Sequence, residues 1–259
     1  MLDDVILTKC QEVDAAKERL PFDELKARLA HFMAERDFRK AISVPGKLSL
    51  IAELKRKSPS KGMLRERFDP VSLAQTLEEA GSSALSVLTD ETYFGGHLDF
   101  LRDVKQFTEV PVLRKDFIVD PYQVYEAAFY QADAVLLIVR ILPDEGLLQC
   151  LQAADLLGLA ALVEVHSEAD LGLALANGVR LIGINHRDLQ TWQVDPHLSE
   201  RLIPRIPAGK VIVAESGIQS AADVKRLKQL GVHAVLIGEA LMVSPKPDEK
   251  IRELFAGTW

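Results

Sequence analysis

The chain has little with which to build covalent or metal cross-links. It holds two cysteines, Cys10 and Cys150, far apart among 259 residues, and none of its six histidines forms a short-spaced pair with either. That argues against a disulfide framework and against a zinc site. Long apolar runs are missing too; no segment approaches the roughly 18 apolar residues of a membrane span. The opening residues MLDDVILTKC start acidic, and their apolar run is too short for a secretory signal. Positive charge is in short supply, with a formal net charge of −7. A global nucleic-acid footprint is therefore absent, and any anionic ligand must be met by local cations. Finally, no G-x-G-x-x-G follows the first strand, so a doubly wound sheet lacks its best signature. These absences lead us to expect a soluble, cytoplasmic protein with neither a membrane nor a nucleic-acid partner.

What is present is a rhythm. Residues 1–47 are charged and helical in pattern, and hydrophobic residues make up 48% of the chain, enough for a sizeable core. From residue 48 onward short apolar runs alternate with amphipathic stretches. The runs fall at 48–55, 84–89, 111–115, 132–139, 159–165, 179–185, 210–216 and 233–239. The stretches between them carry helix boundary signals. Asp69 precedes Pro70 with Gly81 at the far end, Asp120 precedes Pro121, and a stretch starting at Ser220 stops at Gly231. Eight strand–helix units are the arithmetic of a (β/α)8 barrel, which takes about 250 residues. The expected fold is α/β: one TIM-barrel domain over 1–259, with a helical extension (1–47) and the barrel proper (48–259). Early apolar residues such as Val5 and Ile6 need a partner surface, so the extension should cover the barrel or its entrance.

A barrel places its chemistry at the C-terminal ends of its strands. The first strand ends with Glu53 and Lys55, which share a face by the two-residue period, and Ser58 follows in the loop. The third ends in Lys115, with Phe117 beyond, and the fifth in Glu164. The sixth ends in Asn185 and Arg187, the seventh in Glu215, Ser216 and Gly217, and the eighth in Gly238 and Glu239. Taken singly, each is compatible with a solvated rim charge or a turn residue. Jointly, six of eight strands put a chemically capable residue at the same end, and alternation aims Lys115, Glu164 and Asn185 at the core face. The glycine-containing exits of strands seven and eight suit a phosphate held by backbone N–H groups.

Seven motifs, in order, carry a resemblance: IAELKRKSPSKG (51–62), LSVLTDETYFGG (85–96), PVLRKDFIVDPYQVYEA (111–127), LVEVH (162–166), IGINHRDL (182–189), VAESGI (213–218) and LIGEALM (236–242). Together they make the chain similar to the indole-3-glycerol phosphate synthase family of tryptophan biosynthesis. The resemblance implies a carboxy-lyase that closes the pyrrole ring of 1-(2-carboxyphenylamino)-1-deoxyribulose 5-phosphate, releasing carbon dioxide and water. It assigns Lys115 as the acid, which asks nearby cations or burial to lower its pKa toward the working pH. Glu164 becomes the base, with Glu53 a second carboxylate. Lys55 becomes an anion anchor or the acid for dehydration, and Asn185 a partner for a sugar hydroxyl. Ser58, Phe117, Arg187, Glu215, Ser216, Gly217, Leu236, Gly238 and Glu239 become substrate-binding residues. No metal or organic cofactor is implied, and the partner is a phosphorylated small molecule bound by a monomer or a weak homo-oligomer. Three positions depart from the pattern. His186 replaces the usual Asn but should face away from the site, Lys57 replaces a small residue on the loop, and Glu239 stands where some members have Ser. The competing readings are another phosphosugar barrel, such as a pathway isomerase, and a non-catalytic phosphate binder.

Overall fold

The computed structural model describes residues 2–259; Met1, which opens the expected extension, lies outside them. Eight parallel strands close on themselves: β1 (Ser49–Leu54), β2 (Ala84–Leu88), β3 (Val112–Lys115), β4 (Ala134–Ile138), β5 (Ala160–Val165), β6 (Leu181–Asn185), β7 (Val211–Glu215) and β8 (Ala234–Ile237). Each pairs with its sequence neighbours, and β8 returns to β1 with Ser49 opposite Ala234. Each expected run holds one strand, with the ends shifted by no more than two residues.

Helices form where the caps call for them. Asp69 accepts hydrogen bonds from the N–H groups of Val71 and Ser72, and Pro70 opens the helix Pro70–Glu79. Asp120 and Gln123 make a reciprocal capping box at the head of Pro121–Phe129. Ser220 and Asp223 do the same for Ala221–Gln229. Such caps satisfy N–H groups that a helix start would otherwise leave unpaired. Among the described residues no helix is long and apolar enough to cross a membrane.

The extension forms α1 (Leu2–Arg19), α2 (Phe22–Arg28) and α3 (Phe38–Ile42), and it runs from the mouth of the barrel to its floor. On α1, the buried positions Val5, Lys9, Val13 and Ala16 form one stripe at helical spacing. Lys9 in that stripe reaches the rim beyond β2 and β3, 2.7 Å from Asp90 Oδ2 and 3.0 Å from Asp116 Oδ1. The Tyr122 hydroxyl donates to the carbonyls of Ala16 and Leu20 at 3.1 and 3.0 Å. On α2, Phe22 meets Tyr122 and Tyr125 edge-on, with centroids 5.6 and 5.1 Å apart. The chain then passes below the barrel. Arg36 donates its backbone N–H to Asp133 Oδ1 and its guanidinium to the carbonyls of Val110 and Lys105. Phe38 and Ile42 of α3 are wholly buried. The extension therefore covers the entrance rim, as expected, and underpins the floor as well.

Candidate active site

Strand parity brings the predicted side chains together. Glu53, Lys115, Glu164, Asn185 and Glu215 end their strands on the inner face and line one cavity of about 370 Å³ at the C-terminal mouth. Lys55, Ser58, Phe117, Arg187, Ser216, Gly217, Leu236, Gly238 and Glu239 line the same cavity. All of the predicted site residues are therefore gathered in one place.

The first strand's two charges pair directly. Lys55 Nζ donates to Glu53 Oε1 at 2.5 Å, so mutual attraction offsets part of their desolvation cost. Room for Glu53 comes from Gly238; a Cβ there would lie 2.2 Å from Glu53 Oε1. Gly183 serves Glu215 the same way, with a Cβ 2.2 Å from Glu215 Oε1. Both glycines are places where a carboxylate passes over bare backbone.

In the centre, Lys115 Nζ lies 3.3 Å from Glu164 Oε2. Burial pushes the Lys115 ammonium down, but the carboxylates of Glu164, Glu215 and Glu53 more than offset it, so its pKa is raised above the ordinary lysine value. That corrects the expectation of a lysine tuned downward: the neighbours are anions, not cations. Glu164 is wholly buried. Burial pushes its carboxyl up, but Lys115, followed by His166 and Asn185, wins and holds it well below the usual carboxylate range. Glu215 takes the other state. Burial, then the negative charge of Glu164, lifts its pKa well above the usual value against the pull of Lys115, and neither of its oxygens has a hydrogen-bond donor. The site in its free form thus sets a lysine and a carboxyl that hold each other ionised beside a second carboxyl whose pKa is pushed the opposite way.

Around this centre the loops supply the walls. Ser58 sits in a two-stranded ribbon, Lys57–Ser58 against Gly62–Met63, and its Oγ accepts from Lys61 N–H at 3.2 Å. Phe117 is buried, with its ring 6.0 Å from that of Phe94. Asn185 Oδ1 accepts from Arg187 N–H at 3.0 Å. Arg187 donates to the carbonyl of Trp192 and to Glu239 Oε2 at 3.2 and 3.3 Å. Ser216 and Gly217 leave β7 with φ of 65° and 72°. For Ser216 that left-handed backbone costs of order 1–3 kcal/mol, a strain that gathers at ligand clamps.

The departures behave as alternation requires. His186 points outward, its Nε2 2.7 Å from Ser199 Oγ and its Nδ1 3.1 Å from the Ser216 carbonyl. Lys57 donates to the Thr92 carbonyl on the loop. Sequence reasoning missed several lining residues, among them Asp90, Phe94, Trp192 and Lys250. Asp90 and Phe94 lay inside a quoted motif. Lys250 comes from the last helix, Pro247–Leu254, and no local signal marks it. Lys9 was missed too, although it interrupts an apolar stripe at i, i+4 spacing, which is a readable sign of a buried lysine.

Fold and mouth together define a (β/α)8-barrel enzyme. The family model described as indole-3-glycerol phosphate synthase matches residues 2–254. Relatives bearing that name are 44% identical in Acetivibrio thermocellus, covering 99% of both chains, and 47% identical in Caldanaerobacter subterraneus subsp. tengcongensis, covering 98% of this chain and 96% of that one. A solved 3-hexulose-6-phosphate synthase superposes with a TM-score of 0.65 at 16% identity, over 82% of this chain and 100% of that one, a likeness of fold alone. The chain belongs to the indole-3-glycerol phosphate synthase family. Its function is that synthase activity, a decarboxylating lyase reaction of tryptophan biosynthesis.

Proposed function

We propose that Lys115 and Glu164 divide the acid and base work of the reaction. The observation that carries this assignment is their 3.3 Å contact inside the mouth cavity. The ring carbon bearing the carboxylate attacks the C2 ketone of the sugar chain, and Lys115 gives its proton to the carbonyl oxygen as that oxygen gathers charge. Carbon dioxide then leaves and the ring regains aromaticity, which is why the chemistry requires no cofactor. Glu164 takes the proton from the neighbouring carbon while Lys55, which still holds its proton in the same cavity, hands one to the departing hydroxide.

The pairing sets the order of events. While Lys115 is charged, Glu164 is a weak base. Once Lys115 has given up its proton, the main attraction that held Glu164 ionised is gone, and Glu164 becomes a stronger base when dehydration needs one. Glu53 holds Lys55 in place as an anchor for the substrate carboxylate. Phe117 walls the aromatic ring, and Asn185 bonds a sugar hydroxyl. Ser58 and Arg187 are further anchors. The strained exit at Ser216–Gly217, with Gly238, Glu239 and Leu236 beside it, supports phosphate binding by backbone N–H groups.

All of these residues come from one chain, which supports activity as a monomer. A charged phosphorylated intermediate does not cross membranes unaided, which favours the cytoplasm as its place of work. The test is Glu164→Gln, followed by fluorescence of the indole product. The amide keeps size and polarity but cannot take a proton, so kcat should fall by roughly 100-fold or more with KM constant or lower. A variant that turns over normally removes Glu164 from the role and passes it to Glu53.

A further inference from the structure

Behind Glu164 stands a side chain that no assignment above uses. His166 follows Glu164 by two residues, so it shares the inner parity of β5. It does not line the mouth cavity; it is buried behind the carboxylate, and neither ring nitrogen has a hydrogen-bond partner. A buried imidazole with no aligned hydrogen bond is a cost to folding, so it calls for another reason to be there. Its Nε2 lies 3.2 Å from Glu164 Oε1. A lone pair on Nε2 would face a carboxylate lone pair at that distance, so Nε2 carries the hydrogen. The two oxygens of Glu164 are therefore divided, Oε2 to Lys115 and Oε1 to His166.

The backbone beneath the ring is held firmly. His166 N–H donates to Asp170 Oδ2 at 2.8 Å, and Asp170 N–H donates to Ser167 Oγ at 3.1 Å. Asp170 Oδ2 lies 4.0 Å from His166 Nδ1 and 3.6 Å from Arg140, and Arg140 donates to Asp188 at 2.8 Å. A column thus runs from Lys115 through Glu164, His166 and Asp170 to Arg140 and Asp188.

We propose that His166 is a positioning residue for Glu164. Its Nε2–H lies off the hydrogen-bonding direction in the free enzyme and closes to a full bond when substrate is bound, as such contacts commonly tighten in the reacting complex. The need arises in mid-reaction. When Lys115 has given up its proton, Glu164 loses its charged partner, and the His166 N–H then keeps the carboxylate aimed at the proton it must take. The proposal rests on Glu164 being the base.

The experiment compares His166→Leu and His166→Gln in the full chain. Glutamine can place an N–H near the Nε2 position and leucine cannot. For His166→Leu, kcat should fall roughly 10- to 100-fold, the range for a misplaced catalytic group. KM should hold within about threefold, with Tm unchanged or higher because no aligned hydrogen bond is lost. Losing the donor also makes Glu164 easier to protonate, so the acid limb of the kcat–pH profile should move toward neutral pH. The other charges facing this pair stay in place: Lys115 on β3, Glu215 on β7, Glu53 on β1, Asp170 on the helix after β5, and Arg140 after β4. His166→Gln should recover most of kcat. Leucine with normal kcat and an unmoved acid limb, or glutamine as damaging as leucine, overturns the proposal. Glu164→Gln measured alongside separates the two claims. If it is inactive while His166→Leu is normal, only the positioning role falls; if Glu164→Gln is itself normal, the base assignment falls and the positioning role with it.

Discussion

Two clusters of buried charge stand at opposite ends of the same barrel, and they are built on opposite rules. At the floor, Asp133 accepts from Lys105 Nζ at 2.5 Å, from Arg36 N–H at 3.1 Å and from Val112 N–H at 2.9 Å. Both of its oxygens are taken. At the mouth, Glu164 Oε1 and both oxygens of Glu215 have no aligned donor. Burial is equal, since Asp133, Glu164 and Glu215 are all at most 1% exposed. What differs is completeness. A saturated ion cluster has nothing left to offer a ligand and holds the fold; an unsaturated one carries a cost that only a ligand or a proton removes.

The largest expected effect tests the floor. Asp133→Ala leaves Lys105 buried without its partner and should cost roughly 3–5 kcal/mol of stability, with activity per folded molecule kept. Thermal unfolding beside steady-state kinetics reads both. A stable variant would mean that the floor cluster is not structural. At the mouth the emphasis reverses. Lys115→Met should lower kcat by roughly 100-fold or more, about 2.7 kcal/mol of transition-state stabilisation. Its Tm should fall far less than that of Asp133→Ala, because Glu164 faces an open cavity and can take up a proton. Near-normal turnover in this variant would cost Lys115 its role as the acid.

The smallest effect lies in Glu215. Its folded pKa is raised, so above the ordinary carboxylate value of about 4.3 the folded state binds more protons than the unfolded one. Stability contributed by this group is therefore full at lower pH and declines as pH rises toward the folded value. Glu215→Gln should match the parent's Tm near pH 4 and exceed it at pH 7. An equal Tm difference at both values would show that Glu215 does not titrate with folding.

The contrast between the clusters also marks what the sequence can reveal. Strand ends and caps were legible because periodicity and capping are local; Asp69, Asp120 and Ser220 act on residues two to three places away. Site membership was legible because parity and the strand-end rule depend on position alone, and the family motifs then supplied roles. Charge states were not. Lys115 was expected to be tuned downward, yet it meets Glu215 and Glu53 from strands 100 and 62 residues away. The room that Gly183 and Gly238 leave for carboxylates was equally invisible, since each serves a residue on a neighbouring strand. His166 stood in a quoted motif, but nothing in LVEVH says that its ring lies behind Glu164, 3.2 Å from Oε1.

The extension's path has a consequence in time. Lys9 meets Asp116 and Tyr122 meets Ala16, contacts spanning 107 and 106 residues. At synthesis rates of roughly 5–20 residues per second, α1 leaves the ribosome about 5–20 seconds before those partners do. Closing contacts so distant in sequence is slow, and the rim that receives Lys9 exists only once β2 and β3 are paired. The first helix made therefore waits for the middle of the chain but not for its end, since β8 reaches β1 only across the 185 residues from Ser49 to Ala234. Until that helix docks, the nascent barrel lacks the ammonium that meets Asp90 and Asp116 at its rim.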